Sequence, residues 1–241
     1  MSGRFGRKIL VIALFAIAMG FLEAIVVVYV RELFYPDGFT FPLKLIPEKI
    51  FYIELVRELT TLVMLLSIGL LAGKRPIEKF SWFLFTFGIW DINYYIALKT
   101  FLDWPATLLT WDVLFLIPVT WIGPVLAPVI CSLTMILFAL VVIVPIDKNK
   151  IAHAGRLTWT LTIIGALLIF ISFIYDYTAL MSSEGYFSRG GPSLLNPGFI
   201  DAIAYYIPTK FKWWLFLIGE GFIIIAIGRL FYQNNSKKIP F

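Results

Sequence analysis

Charge is what this chain has least of. Only 15% of its 241 residues are Asp, Glu, Lys or Arg, against about 25% in an average soluble domain. Histidine and cysteine are scarcer still, with one of each, His153 and Cys131. A single cysteine cannot close an intramolecular disulfide. One His and one Cys also exclude a conventional His/Cys zinc site and a bis-His haem within the chain. No metal site and no cofactor is expected. The sequence has no P-loop, GxSxG, HExxH, dinucleotide fingerprint or Asp-rich pair suited to diphosphate–magnesium chemistry. Nor does any polar stretch have the length of a domain that hydrolyses ATP in water.

Apolar residues fill the space that charge leaves, at 60% of the chain, with 23 Phe, 11 Tyr and 8 Trp among them. The mean hydropathy is +0.89. Too little polar surface exists to cover such a chain in water, so lipid is the solvent that fits. A span needs about 20 apolar residues to cross ~30 Å of hydrocarbon. The pattern predicts an all-α integral membrane protein, a single polytopic domain with six spans at about 9–30, 50–72, 80–101, 122–145, 157–180 and 211–232. The basic start of the chain resembles a signal peptide, but the apolar run continues to Val30 without a small-x-small cleavage site, which favours a retained first span.

Between spans 3 and 4 lies WPATLLTWDVLFLIPVTWIGPVLAP, interrupted by Pro118, Pro124 and Pro128. Pro breaks helices, and the expectation is a short or re-entrant helix at about 107–119. The loops 31–49 and 181–210 are long. In the second, Asn196-Pro197 and the residues after it read as a capped interfacial helix. Trp and Tyr near the span ends fit a headgroup belt. Two local echoes, Trp90-Asp91 with Trp111-Asp112 and Glu23 with Glu220, do not extend into repeats.

The net charge of +5 gives no case for nucleic acid, because the basic residues punctuate apolar segments instead of forming a stripe. Twelve of the twenty Lys and Arg, from Arg4 through Lys74 and Lys148 to Lys238, fall on one side of a six-span layout. The positive-inside rule then places both termini in the cytoplasm of a multi-pass protein of the plasma (inner) membrane. Membrane lipids are the expected surroundings, with a second copy or a membrane-complex subunit as further partners.

Thirteen of the fifteen acidic residues fall on the other side or in that half of the membrane. At ~1.5 Å per residue, Glu23, Glu58, Asp91 and Glu220 lie ~10–15 Å below the outer ends of four different spans. A charge facing hydrocarbon costs at least ~2.5–3.5 kcal/mol. These carboxylates are therefore expected to face the bundle interior, to pair with cations or to be protonated. Glu54 shares a helix face with Glu58, and Arg57 stands between them as a partner for Glu23 or Asp91. Arg31 lies above Glu23. Tyr94, Tyr95, Asn93, Thr60 and Thr61 supply neutral groups at that depth, and Asp112 adds an acid from the Pro-interrupted stretch. The candidate solute- or ion-binding set is thus Glu23, Glu54, Arg57, Glu58, Asp91, Tyr94, Tyr95, Asp112 and Glu220.

Carboxylates without His or Cys suit hard cations, protons or organic cations. They also suit acid–base chemistry when buried. Three functions stay open. One is a transporter or ion-binding protein with an outward-facing carboxylate site. Another is a membrane enzyme acting on a lipid or isoprenoid. The last is a non-catalytic subunit whose Glu–Arg pairs only hold helices together. An aqueous vestibule favours the first, a lateral opening to lipid the second, and a tightly packed acidic layer without a cavity the third.

Overall fold

A computed structural model describes residues 3–44, 46–148, 154–183 and 206–236. The expected interfacial helix after Asn196 and the loop residue His153 lie outside the described residues. Six long helices and one β-hairpin follow in chain order: α1 (Gly3–Phe34), α2 (Glu48–Ala72), α3 (Pro76–Leu102), β1 (Trp111–Phe115), β2 (Trp121–Pro124), α4 (Leu126–Asp147), α5 (Arg156–Ser183) and α6 (Trp213–Ser236).

Five of these, α1, α2, α4, α5 and α6, are long and apolar enough to cross a membrane. The chain is a multi-pass membrane protein. Their apolar windows are mostly exposed at the surface, with Leu71 at 84% and Leu33 at 74%. Water would penalise such a surface, and lipid does not. The remaining helix, α3, has the length to cross, but Glu78, Lys79, Asp91 and Lys99 make it less apolar.

That lower apolarity goes with a central position. The packed pairs are α1 on α3, α2 on α3, α3 on α4, α4 on α6 and α5 on α6. Between α5 and α6 the approach is set by Gly165 and Gly219, where a Cβ on either would meet the other's carbonyl oxygen at 2.7–2.8 Å. Small residues allow this close backbone contact, which in lipid replaces the hydrophobic drive available in water. At the end of the bundle that holds the chain's start, Ile12, Trp82, Phe85, Ala139 and Ile143 form one buried cluster. There Lys8 reaches from α1 to the Ala72 carbonyl at the end of α2, and cations are favoured at a helix C-terminus.

The short helix expected at 107–119 is corrected by the structure. The stretch forms an antiparallel hairpin, pairing Trp111 with Pro124, Asp112 with Gly123, Val113 with Ile122 and Phe115 with Trp121, with an irregularity between Val113 and Phe115. Val125 and Leu126 extend the tie by donating to the carbonyls of Thr110 (3.0 Å) and Leu108 (2.7 Å). The physical reason is local. A helix of about a dozen residues is marginal by itself, Pro118 withholds an N–H, and Trp, Val, Phe and Ile favour a pleated surface. Span 4 accordingly begins at Leu126, four residues later than expected.

Candidate functional site

The hairpin does not lie over the bundle; its tip reaches into it. Phe115 packs against Phe87 and Trp90 on α3. The backbone N–H of Leu116 donates to both oxygens of Glu58, at 3.1 and 2.9 Å. Glu58 sits ten residues, ~15 Å, below the start of α2. A hairpin offers unpaired N–H groups along its edges, and such groups are costly where water is absent. Glu58 satisfies one of them with a carboxylate, which is a stronger acceptor than a neutral carbonyl.

Asp112 anchors the hairpin a second time. It is 1% exposed and accepts from Arg31 Nη2 at 3.0 Å and from the Tyr95 hydroxyl at 3.2 Å. The Arg31 guanidinium also lies over the rings of Trp104 (3.8 Å) and Phe39 (4.2 Å), a placement that suits a weakly hydrated planar cation. Nearby, Tyr35 accepts the Lys44 N–H at 2.9 Å. Burial raises its phenol above the ordinary range, opposed by that bond and by Arg31.

Arg57 forms the second charged knot. It pairs with Glu23 on α1 and turns back to Glu54 at 2.8 Å. Thr61 adds a hydrogen bond to Glu23 at 2.9 Å. Of the two partners expected for Arg57, Glu23 is the one present. Arg31, which stands above Glu23, pairs with Asp112.

The remaining acids have no such partner. Among the described residues, Glu58, Asp91 and Glu220 have no basic side chain at ion-pair distance. Asp91 accepts from Ser132 at 2.7 Å. Glu220 meets Thr134 at 3.5 Å through Oε1, while its buried Oε2 accepts no hydrogen bond. Asp176, near the end of α5, pairs with Lys212 at 3.1 Å, away from these groups.

One cavity of about 500 Å³ is lined by all nine residues of the candidate set. It runs from Tyr35 and Lys44 at the hairpin end past the carboxylates to Phe80, Phe138 and Ile223. Most of its wall is aromatic and aliphatic. Its sides include α2 and α5, which are not among the packed helix pairs. Sequence reasoning missed Ser132 and Thr134, which line the cavity beside Cys131. Nothing in the local pattern of α4 marks them, since a Ser or Thr in an apolar helix usually bonds its own backbone. Asn93 and Thr60 do just that, bonding the carbonyls of Ile89 and Val56. The chain matches no family model, no curated protein and no solved structure.

Proposed function

We propose that this chain is a membrane transporter or ion-binding protein whose small-solute or cation/proton site is the acidic cavity. One observation carries the reading. The cavity joins six buried or half-buried carboxylates, Glu23, Glu54, Glu58, Asp91, Asp112 and Glu220, to two arginines, with one lysine, Lys44, at its mouth. Isolated buried carboxylates are costly, so the excess calls for a cation or for protons. A network whose only task is to hold helices has no need of a cavity of this size.

In this reading α3 is a sixth span, with Glu78 and Asp91 buried in the bundle and Lys99 exposed near its end. The twelve basic residues flanking the spans put both termini in the cytoplasm and the hairpin end outward, with the plasma (inner) membrane as the setting. Tyr35 and Lys44 then mark the outer mouth of the cavity. A second reading, an enzyme that draws a lipid or isoprenoid chain into the cavity, is favoured by the cavity's largely aromatic and aliphatic wall.

The test is reconstitution of the purified chain into liposomes loaded with a pH-sensitive dye, against a panel of inorganic and organic cations. Asp91→Asn is expected to cut proton- or cation-coupled flux at least tenfold, with the protein still inserting normally. Unchanged flux in that variant would sink the reading.

A further inference from the structure

We propose that the cavity's ligand is an amphipathic organic cation: an ammonium- or phosphonium-type head on an apolar body, with the head in the stretch that Asp91 and Glu220 share. This assignment rests on the function proposed above and narrows it to a substrate class.

Two halves of the cavity differ in how their charge is used. Arg57 is taken up by Glu23 and Glu54, and Arg31 by Asp112 through Nη2, its Nη1 being buried without a hydrogen-bond partner. An anionic headgroup would have to compete for guanidinium groups that already have carboxylate partners. Asp91 and Glu220 are different. Both approach the same turn of α4, through Ser132 and Thr134. Glu220 is 6% exposed and lines the cavity; the Thr134 hydroxyl and the Cys131 thiol are its neutral partners, and no cation meets its buried Oε2. That arrangement asks for a positive group from outside the chain.

The wall decides what kind of positive group. A metal ion such as Ca²⁺ needs six or more oxygen ligands at 2.3–2.6 Å, by general coordination chemistry. Among the described residues no group of three or more His, Cys, Asp or Glu is placed to hold one. The same cavity is walled by rings instead. Trp121 packs on Phe170 at 4.9 Å and on Phe173 at 5.9 Å, and all three line the cavity. Aromatic faces with a nearby counter-charge are how organic cations are recognised. The volume, about 500 Å³, falls in the range of roughly 300–1,000 Å³ typical of small-molecule pockets.

Cys131 makes the test possible on the native chain, because it is the only cysteine and it lines the cavity. The full chain in nanodiscs is treated with cationic 2-aminoethyl methanethiosulfonate and, separately, with anionic 2-sulfonatoethyl methanethiosulfonate. The cationic reagent is expected to label Cys131 at least tenfold faster. Saturating tetraphenylphosphonium is expected to slow labelling at least tenfold, and the near-isosteric anion tetraphenylborate to leave it unchanged. Glu220→Gln should abolish the charge preference, and Glu220→Asp should retain most of it. Equal protection by both tetraphenyl ions, protection by Mn²⁺ alone, or faster labelling by the anionic reagent would overturn the assignment. Flux that depends on Asp91 with no tetraphenylphosphonium protection overturns the organic cation and leaves the acidic transport site standing. Protection by tetraphenylphosphonium with flux indifferent to Asp91 does the reverse.

Discussion

The two flanks of the cavity use the same residue types to opposite ends. On the α1–α2–hairpin flank, carboxylates meet arginines or backbone N–H groups. Arg31 with Asp112, Arg57 with Glu23 and Glu54, and Glu58 with the Leu116 amide together tie three elements. On the α3–α4–α6 flank, Asp91 and Glu220 have only neutral partners from α4, the Ser132 and Thr134 hydroxyls and the Cys131 thiol. The first flank resembles interhelical glue; the second leaves charge for something else. A carboxylate's place in the membrane therefore does not reveal its task. Its partners do.

The largest expected effect breaks the paired flank. Arg31→Ala leaves Asp112 buried without its cation, and losing one member of a buried pair costs about 3–5 kcal/mol. Thermal unfolding in detergent should show the loss, and the double replacement Arg31→Leu with Asp112→Leu should regain most of it. A single variant as stable as the parent would mean that the pair does not hold the hairpin.

Next comes the hairpin's second tie. Glu58→Leu strands the Leu116 N–H, and a buried unsatisfied donor costs about 1–3 kcal/mol. Amide exchange at Leu116 and its neighbours should quicken, while exchange in α5 and α6 stays unchanged. Glu58→Gln, which keeps an acceptor, should do less.

On the unpaired flank the sign is expected to reverse. Asp91→Asn and Glu220→Gln each remove a buried charge that has no cation, so the melting temperature should hold or rise even as flux and organic-cation binding are lost. A fall in stability as large as that of Arg31→Ala would erase the distinction between the flanks. The smallest effect lies outside both. Lys99 holds Asp103 at 2.7 Å on an exposed turn, and Lys99 keeps that carboxyl below its ordinary range. A depressed carboxyl contributes stability above its unfolded pKa and loses it as pH falls through its folded pKa. Exposed pairs contribute little, so Lys99→Met should lower the midpoint only slightly at neutral pH, and that small difference should vanish as pH falls below the folded pKa, where the carboxyl is protonated with or without Lys99.

The helices were legible because the membrane imposes a length. Apolar runs bounded by Lys74 and Lys148 gave spans within two residues of the ends of α2 and α4, since hydrocarbon thickness and the cost of charge act on any sequence, while α1 starts six residues before its expected span. The hairpin was not legible. Prolines mark where a helix stops but say nothing about what replaces it, and strand pairing at Val113–Ile122 depends on a pocket between helices that the sequence does not display.

The sequence by itself determined that acids gather at one depth on several helices and that they must avoid lipid. Counting residues along a helix gives depth and face, and burial cost supplies the rest. Only the tertiary structure decided which acid meets which cation. Partners such as Arg31 and Asp112, or Glu220 and Thr134, stand 81 and 86 residues apart, and no local pattern encodes their meeting. The order in which helices pack around α3 brings them together, and that same order leaves Asp91 and Glu220 facing an open cavity.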